Sequence, residues 1–389
     1  MHLATARLPS GLGKVRGPTR ATVAVCPRAG VVWQSEPRRT TSTDGRTMMN
    51  VCRLPRFRGS TIAVGAVLVG VAGLAACGQP SAMGEANSLI VVADDALWQQ
   101  VEEQTYAALE RTVYTTRNEK IFNVTQTSPE SPDIRQLLLW RQILVFGTPD
   151  DPGIQMIAEK VGRSAVEPGE VVQASNVWAR GQLATAVVLQ PGREAESWRE
   201  HLPGLSEHLE QQFRDYVLRR MFVSGVDTAT SNFLRAEFGF TLDVPRVYQR
   251  VDRGGGVVLI RNDNPDPSEL IRSILIQRGA AVDSMASSMV YVWRTSVDDV
   301  HYNVPQDFDV IAGTGRSFDL NGSEAVEARG TWKDRAAYPA AGPFVSRAVR
   351  CGDEMIYFDA WLYSPNPRRS KYEYMTQLEE ILNSFNCVR

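Results

Sequence analysis

The sequence has few residues of the kinds that build catalytic and metal centres. It contains only four histidines and five cysteines among 389 residues, and three of the histidines, His201, His208 and His301, come after Cys77. His201 and His208 are seven residues apart, not the four of the His-Glu-x-x-His zinc proteases, so we predict surface histidines on one helix. Beyond Cys77 there is no Gly-x-Ser-x-Gly, no Ser-x-x-Lys and no Gly-x-x-x-x-Gly-Lys-Ser/Thr motif. The usual signatures of serine hydrolases and P-loop enzymes are therefore missing, and we expect no metal and no cofactor.

Basic charge is scarce after the first 60 residues. Residues 1–60 carry 11 Lys and Arg against 2 Asp and Glu. The rest of the chain therefore carries 31 Lys and Arg against 42 Asp and Glu, a net charge of −11. Binding to nucleic acid phosphates needs a basic surface. The charge distribution therefore argues against a nucleic-acid partner.

The stretch 53–77 has the three parts of a secretory signal peptide in their usual order. Three arginines at positions 53 to 58 precede an apolar run of 14 residues, 61–74, which small residues follow. A membrane-spanning helix needs about 20 apolar residues, so the run fits a signal-peptide core better than a transmembrane helix. The alternative is a short helix or strand buried in a globular domain. No later apolar run is long enough to cross a bilayer.

The end of this stretch, Leu74-Ala-Ala-Cys77, resembles the lipobox of bacterial lipoproteins. The resemblance implies cleavage before Cys77 and acylation of its sulfur, with palmitate-type chains that hold the protein on a membrane of the cell envelope. Two or three acyl chains on one residue give stable anchoring where a single chain does not. Gly78, and not an aspartate, follows the cysteine, which favours the outer membrane over the inner membrane.

Five segments follow from this placement of the signal. Residues 48–76 are the predicted lipoprotein signal peptide, and 77–87 are a small, polar, lipidated tether. We expect 1–47 to be either an upstream extension, with the true start at Met48 or Met49, or a disordered leader. The folded remainder is predicted to form two domains, 88–222 and 223–389.

Periodicity predicts an α+β fold with two mixed α/β sandwich domains, in which helices cover the sheets. In the first domain we expect strands at 88–93, 120–127 and 141–147 and a hairpin over 171–190. We expect its helices at 152–161, at 195–222 and from Asp94-Asp95 to about 113. In the second we expect helices at 228–238, 287–299 and 368–385, strands at 240–248, 257–261 and 324–332, a hairpin over 344–363 and, at 270–277, a strand or helix. Gly254-Gly-Gly256 permits a tight turn between strands. The second domain is also similar at the fold level to the Mog1/PsbP-like proteins.

Two cysteines remain after the lipidation site, Cys351 and Cys387. In an oxidising envelope compartment they can form a disulfide. Spacing does not show whether their Cα atoms lie close enough, so a bonded pair and two free thiols both stay open.

Two groups of residues have the composition of a ligand or structural cluster. Asp94 and Asp95, with Trp98, follow the first strand and can bind a cation or act as an acid/base pair; capping of the next helix uses the same residues. Arg329 and Trp332 share a strand and can line an anion or aromatic pocket. A structural cation–π contact between them is the alternative.

Several patches together resemble the bacterial envelope lipoprotein family known as domain of unknown function 4837. They are Ile90-Val-Val-Ala-Asp94-Asp95-Ala-Leu97-Trp98, Phe240-Thr-Leu-Asp-Val-Pro245-Arg-Val-Tyr248, Arg329-Gly-Thr-Trp332, Gly342-Pro-Phe-Val-Ser346 and Ala360-Trp-Leu-Tyr-Ser-Pro365. The family has no established activity, so the resemblance implies a place in the envelope and no mechanism.

These observations favour a non-enzymatic envelope lipoprotein that binds a protein or polymer partner. The first alternative is a hydrolase or metal-dependent enzyme that uses Asp94 and Asp95. The second is a carrier of lipid or another hydrophobic ligand.

Overall fold

The computed structural model describes residues 78–263, 270–301, 305–311, 314–336, 340–366 and 369–388. These residues form two large sheets with helices on their faces and two small two-stranded sheets. The predicted α+β class, with sheets covered by helices, is confirmed. The leader 1–47, the signal peptide 48–76 and Cys77 lie outside the described residues. All described residues belong to one compact unit, 73–389.

The first sheet has five strands in the order β4-β1-β5-β7-β6. The elements of this half are β1 (Ser88–Val92), α1 (Asp95–Leu109), β2 (Thr112–Tyr114), β3 (Asn118–Lys120), β4 (Asn123–Thr127), α2 (Ile134–Leu137), β5 (Gln142–Gly147), α3 (Pro152–Lys160), β6 (Val171–Ser175), β7 (Leu183–Val188) and α4 (Glu194–Met221). Strands β4, β1, β5 and β7 are parallel, and β6 returns antiparallel to β7 as the predicted hairpin. Strands β2 and β3 form a separate small hairpin.

Helices cover both faces of this sheet, which explains why β1 and β5 are apolar at nearly every position. Alternate residues of a strand point to opposite faces. Leu89 and Val91 therefore join the core under α1 and α4, while Ile90 and Val92 join the core under α3. On the α4 side the ring of Phe146 stacks on Trp198 with centroids 3.8 Å apart.

The second sheet has eight strands, with β12-β14-β15-β16-β11-β10-β9 in order and β13 paired to β14. Its half of the chain contains α5 (Thr228–Phe238), β8 (Phe240–Thr241), β9 (Gln249–Gly254), β10 (Val257–Asn262), β11 (Ile271–Ala280), α6 (Ser287–His301), β12 (Gln306–Val310), β13 (Arg316–Leu320), β14 (Ser323–Asp334), β15 (Ala341–Cys351), β16 (Glu354–Tyr363), α7 (Lys371–Asn383) and β17 (Asn386–Cys387). All strand pairs in this sheet are antiparallel. The three glycines of the predicted turn, 254–256, all have positive φ and connect β9 to β10.

Different helices pack on the two faces of the second sheet. Helices α5 and α7 cover the larger core, and α6 packs on the opposite face. A buried ion pair fixes α6 there, with Arg294 Nε 3.1 Å from Asp359. The Arg294 guanidinium also lies over the rings of Phe308 and Phe344, 4.6 and 4.2 Å from their centroids.

Three strand predictions were wrong in their extent. The strand expected over 240–248 is only two residues, β8, because its partner β17 is equally short. The strand expected over 120–127 is two strands, β3 and β4, in different sheets. The third error is an omission, because no strand was predicted between 299 and 324, where β12 and β13 lie. Both pair with the long strand β14, which supplies hydrogen bonds that local periodicity does not report.

Cys351 and Cys387 are joined by a disulfide, with Cα atoms 5.5 Å apart. Cys351 ends β15 and is buried, and Cys387 lies in β17, which pairs with β8. The bond therefore attaches the end of the described chain to the β15–β16 hairpin.

Candidate functional site

A cleft of about 690 Å³ opens beyond the carboxyl ends of β1 and β5. Along the chain the parallel strands come in the order β1, β4, β5 and β7. In the sheet, β4 lies on one side of β1 and β5 on the other, so the direction in which strands are added reverses at β1. Open α/β sheets bind ligands at this kind of reversal, outside the carboxyl ends of the strands. The volume is also in the range of small-molecule sites, roughly 300 to 1,000 Å³.

Each of the four parallel strands brings one carboxylate to this cleft. Glu130 follows β4, Asp94 follows β1, Asp151 follows β5 and Glu194 follows β7. Three of them stand where a helix begins and meet the positive end of the helix dipole. Asp94 also caps α1 through its side chain, which Asp151 does not do for α3. The carboxylates therefore converge through the topology of the sheet and not through proximity in sequence.

All four carboxylates accept hydrogen bonds from neighbouring groups, Glu130 from the hydroxyl of Ser128. Asp94 caps α1 by accepting from the backbone N–H of Ala96 and Leu97 at 2.9 and 3.1 Å. Glu194 accepts from the N–H of Gly192 at 2.8 Å, and this bond lowers the Glu194 pKa from its usual value. Asp94 thus has the capping role that the sequence offered as the alternative to catalysis.

Asp151 lies against the backbone at the end of β5. Its Oδ2 accepts from both the backbone N–H and the hydroxyl of Thr148. A Cβ at Gly147 would come within 2.0 Å of that oxygen. Only glycine at position 147 permits this approach.

The wall between the carboxylates is apolar and accessible. Its half-buried or exposed residues are Leu97, Ile134, Leu138, Met156 and Trp178. Apolar walls with a few placed polar groups are typical of sites for small organic ligands. The cleft therefore has both parts of such a site.

The other two residues of the first predicted cluster do not line the cleft. Asp95 accepts from the side-chain amide of Gln126 at 3.3 Å. Trp98 is 6% exposed and packs edge-on against Tyr106 in the core under α1. Helix packing explains this, because a tryptophan four residues after Asp94 points back over the first turn into the core.

Arg329 lies in a second, highly charged cleft of about 630 Å³ lined by residues of α4, β13, β14, β15 and α7. It pairs with Glu379 of α7, its Nη1 and Nη2 donating at 2.6 and 3.0 Å, and with Glu327 of its own strand. Burial lowers the pKa of Arg329, but Glu379 and Glu327 outweigh it and raise the pKa above its usual range.

Glu327 is the centre of this charged cluster and is completely buried. The Nε atoms of Arg316, Arg329 and Arg347 lie 3.1, 2.9 and 2.7 Å from its carboxylate oxygens. Burial raises the pKa of Glu327, whereas the arginines, Arg347 first, lower it more strongly, and the result is about 2.

Arg329 and Trp332 do not form a common pocket, and the predicted cation–π contact between them was wrong. Residues three apart on a strand point to opposite faces. Arg329 faces α7, and Trp332 lies in the core of the α6 face with Phe344 and Trp361. Nor does the structure bring Arg329 together with Asp94, since the two residues line different clefts.

The described residues show no arrangement of three or more His, Cys, Asp or Glu side chains that could hold a metal ion. His208 is exposed, and the ring nitrogens of His201 lie 2.7 and 3.2 Å from the carbonyl oxygens of Ser197 and Gly169. In the same part of the chain, no helix is both long and apolar enough to cross a membrane.

Sequence reasoning missed Glu130, Asp151 and Glu194 as members of the site. The signal that could have found them is a carboxylate shortly after each apolar strand, since the carboxyl ends of parallel strands meet at one edge. The charged cluster around Glu327 had no such signal, because its members come from four separate elements.

Two family models match adjacent parts of the chain. Residues 227–384 match the model described as Domain of unknown function (DUF4837), which confirms the resemblance for that segment. Residues 82–221, which include the patch Ile90–Trp98, match a second model, Domain of unknown function (DUF8532). A comparison with curated proteins gives no match.

Several solved structures are similar to about two-fifths of the chain. Cyanobacterial PsbP from Synechocystis sp. PCC 6803 is 16% identical over 38% of this chain and 86% of its own, with a TM-score of 0.29. LpqN, involved in cell envelope biogenesis of Mycobacterium tuberculosis, is 13% identical over 39% and 83%, with a TM-score of 0.27. The Ran-binding protein Mog1p of Saccharomyces cerevisiae is 14% identical over 39% and 90%, with a TM-score of 0.26.

Proposed function

We propose that the chain is a lipid-anchored protein of the bacterial cell envelope whose folded part is a non-enzymatic binding module. The observation that carries the binding role is the cleft at the strand-order reversal of the first sheet, with its apolar wall and its ring of carboxylates. The lipobox-like sequence ending at Cys77 supports the anchor, and Gly78 favours the outer membrane.

Binding agrees better with this geometry than acid/base catalysis does. One oxygen of Asp94 already accepts two backbone amides, and Asp95 contacts Gln126, so the adjacent aspartates are not aimed at a common point. A general acid or base must reach the reacting proton within hydrogen-bond distance. We therefore expect the module to bind its ligand and release it without chemical change.

The cleft is tested by ligand-observed NMR of the full chain carrying Cys77→Ala, with a library of neutral aromatic and aliphatic fragments. Ala96 is exposed and lines the cleft, so Ala96→Trp is expected to fill it without disturbing the core. Gln99, also exposed on α1 but outside the cleft, provides the matched control Gln99→Trp. Fragment binding that survives both substitutions, or no binding at all, would contradict the proposal.

The anchor is tested separately by metabolic labelling with a fatty-acid probe. Wild type is expected to be labelled and to fractionate with membranes. Cys77→Ala is expected to lose both properties. A soluble, unlabelled wild-type protein would remove the envelope assignment while leaving the binding cleft untouched.

A further inference from the structure

We infer that the cleft of the first sheet selects a small amphipathic organic cation, an apolar body that carries an ammonium group. This inference rests on the proposed binding function and names the chemistry of its ligand. It follows from the charge and the shape of the cleft taken together.

The charge of the lining has one sign. Four carboxylates line the cleft, and the described lining contains no lysine, arginine or histidine. Three helices begin there, and each N-terminus contributes a partial positive charge of roughly +0.5, so the site keeps a net charge of roughly −2.5. A cationic ligand compensates that charge, whereas an anion would add to it.

The carboxylates have no cationic partner of their own. Within residues 78–263 and the later described segments, Asp94, Glu130, Asp151 and Glu194 form no ion pair, although 16 ion pairs occur elsewhere. This contrasts with the second cleft, where each glutamate of the lining is paired with an arginine.

Two of the basic residues nearest to the carboxylates along the chain, Arg193 and Arg199, are already engaged, and the third, Arg135, does not line the cleft. Arg193 pairs with Glu196 at 2.7 Å, and Arg199 donates to the carbonyl oxygen of Gln100 at 2.8 Å. Neither Arg193 nor Arg199 lines the cleft. The protein itself therefore supplies no cation to the four carboxylates.

The apolar wall determines the rest of the ligand. Leu97, Ile134, Leu138 and Trp178 leave apolar surface open toward the same space as the carboxylates. The face of an indole attracts an ammonium group, and aliphatic side chains bury an aromatic or branched body. A bare metal cation would leave that wall in water, which is why an organic cation fits better.

The test is a calorimetric titration of the full chain carrying Cys77→Ala with three ligands that share one ring system. Tryptamine is a cation, 3-ethylindole is neutral, and indole-3-propionate is an anion. Tryptamine is expected to bind at least about tenfold more tightly than the other two, with a preference that weakens as salt rises.

Two variants locate the preference. Asp94→Asn, Glu130→Gln, Asp151→Asn and Glu194→Gln together keep a side-chain oxygen that can accept hydrogen bonds at each position and remove the charge, so tryptamine and 3-ethylindole should then bind alike. The control variant should keep the preference for tryptamine. It changes to Gln four exposed carboxylates outside the cleft, Glu102, Glu103, Glu159 and Glu207.

A single substitution keeps the inference testable if the fourfold variant does not fold. Met156 is 46% exposed in the cleft, so Met156→Arg should fold and, by adding one positive charge, weaken the preference for tryptamine. Val161, equally exposed but outside the cleft, gives the control Val161→Arg.

The possible failures are distinguishable. Equal or tighter binding of 3-ethylindole or of indole-3-propionate by wild type overturns the charge inference and leaves the binding role intact. Binding by none of the three also overturns it, and the fragment experiment with Ala96→Trp then decides the fate of the proposed function.

Discussion

Replacing Glu327 by glutamine removes the one carboxylate that three arginines share. Glu327 is fully buried, and Arg347 beside it is only 1% exposed. In the variant, Arg329 keeps its ion pair with Glu379, and Arg316 is half exposed, so water can solvate its charge. Arg347 is buried and loses its nearest charge partner. Removing one partner of a buried ion pair is strongly destabilising, by about 3–5 kcal/mol, because the remaining charge stays in the interior.

The pKa of Glu327 gives an independent magnitude and a pH dependence. A fall from the usual 4.5 to about 2 corresponds to about 3 kcal/mol of folding free energy. Because the pKa in the folded state is the lower one, this stabilisation is fully present above pH 4.5 and is lost as the pH falls toward 2. At pH 3 less than half of this stabilisation, about 1 kcal/mol, should remain.

The assay is urea unfolding of wild type and Glu327→Gln between pH 7 and pH 2.5. The difference in unfolding free energy should be about 3 kcal/mol at neutral pH and should shrink by more than half at pH 3. Glu324→Gln is the control on the same strand. Its exposed pair with Arg350 should contribute less than about 1 kcal/mol at any pH. A Glu327 difference that does not change with pH would refute the assignment of charge to this carboxylate.

Three further substitutions test the capping, cross-linking and docking contacts. Asp94→Ala should lower the unfolding free energy by about 1 kcal/mol and Asp94→Asn by only a few tenths, measured by thermal unfolding, since asparagine also caps helices. Reduction of the Cys351–Cys387 disulfide, or replacement of both cysteines by serine, should lower the unfolding free energy by about 2–4 kcal/mol, because the bond closes a loop of 36 residues. Glu119 accepts the first two backbone amides of α7, so Glu119→Ala should cost about 1–3 kcal/mol and raise amide exchange at the start of α7. An exchange rate unchanged at α7 would refute that capping role.

Much of the fold could be predicted from the sequence because it is encoded locally. The continuous apolar runs of β1 and β5, the amphipathic pattern of α4 and the hairpin of β15 and β16 each depend on residues close in sequence. The Asp94 cap also follows from three neighbouring positions. Such local signals predict an element reliably where its own side chains determine it.

The remaining features depend on contacts between distant segments. Strands β12 and β13 form because β14 is long enough to pair with both, and neither has a strong pattern of its own. Glu327 attracts arginines from β13, β14 and β15, which no spacing rule connects. The candidate site lies between these cases, because each carboxylate follows a predictable strand while their meeting point depends on the strand order.

Contacts between the two segments that the family models match explain why both segments belong to one structural unit. Helix α4 begins at the cleft with Glu194 and, at 28 residues, runs about 42 Å, past the end of the first sheet. Its far half meets α7 of the second segment, where Phe213 stacks on Tyr372 with centroids 5.2 Å apart and Arg214 pairs with Glu380 at 2.8 Å. Tyr372 is buried in the core of the first sheet, and Glu119 of the β2–β3 hairpin caps the helix that carries it. Because these contacts place part of α7 inside the core of the first segment, separating the segments would expose apolar surface on both, so the helix that borders the cleft is held by the second sheet as much as by the first.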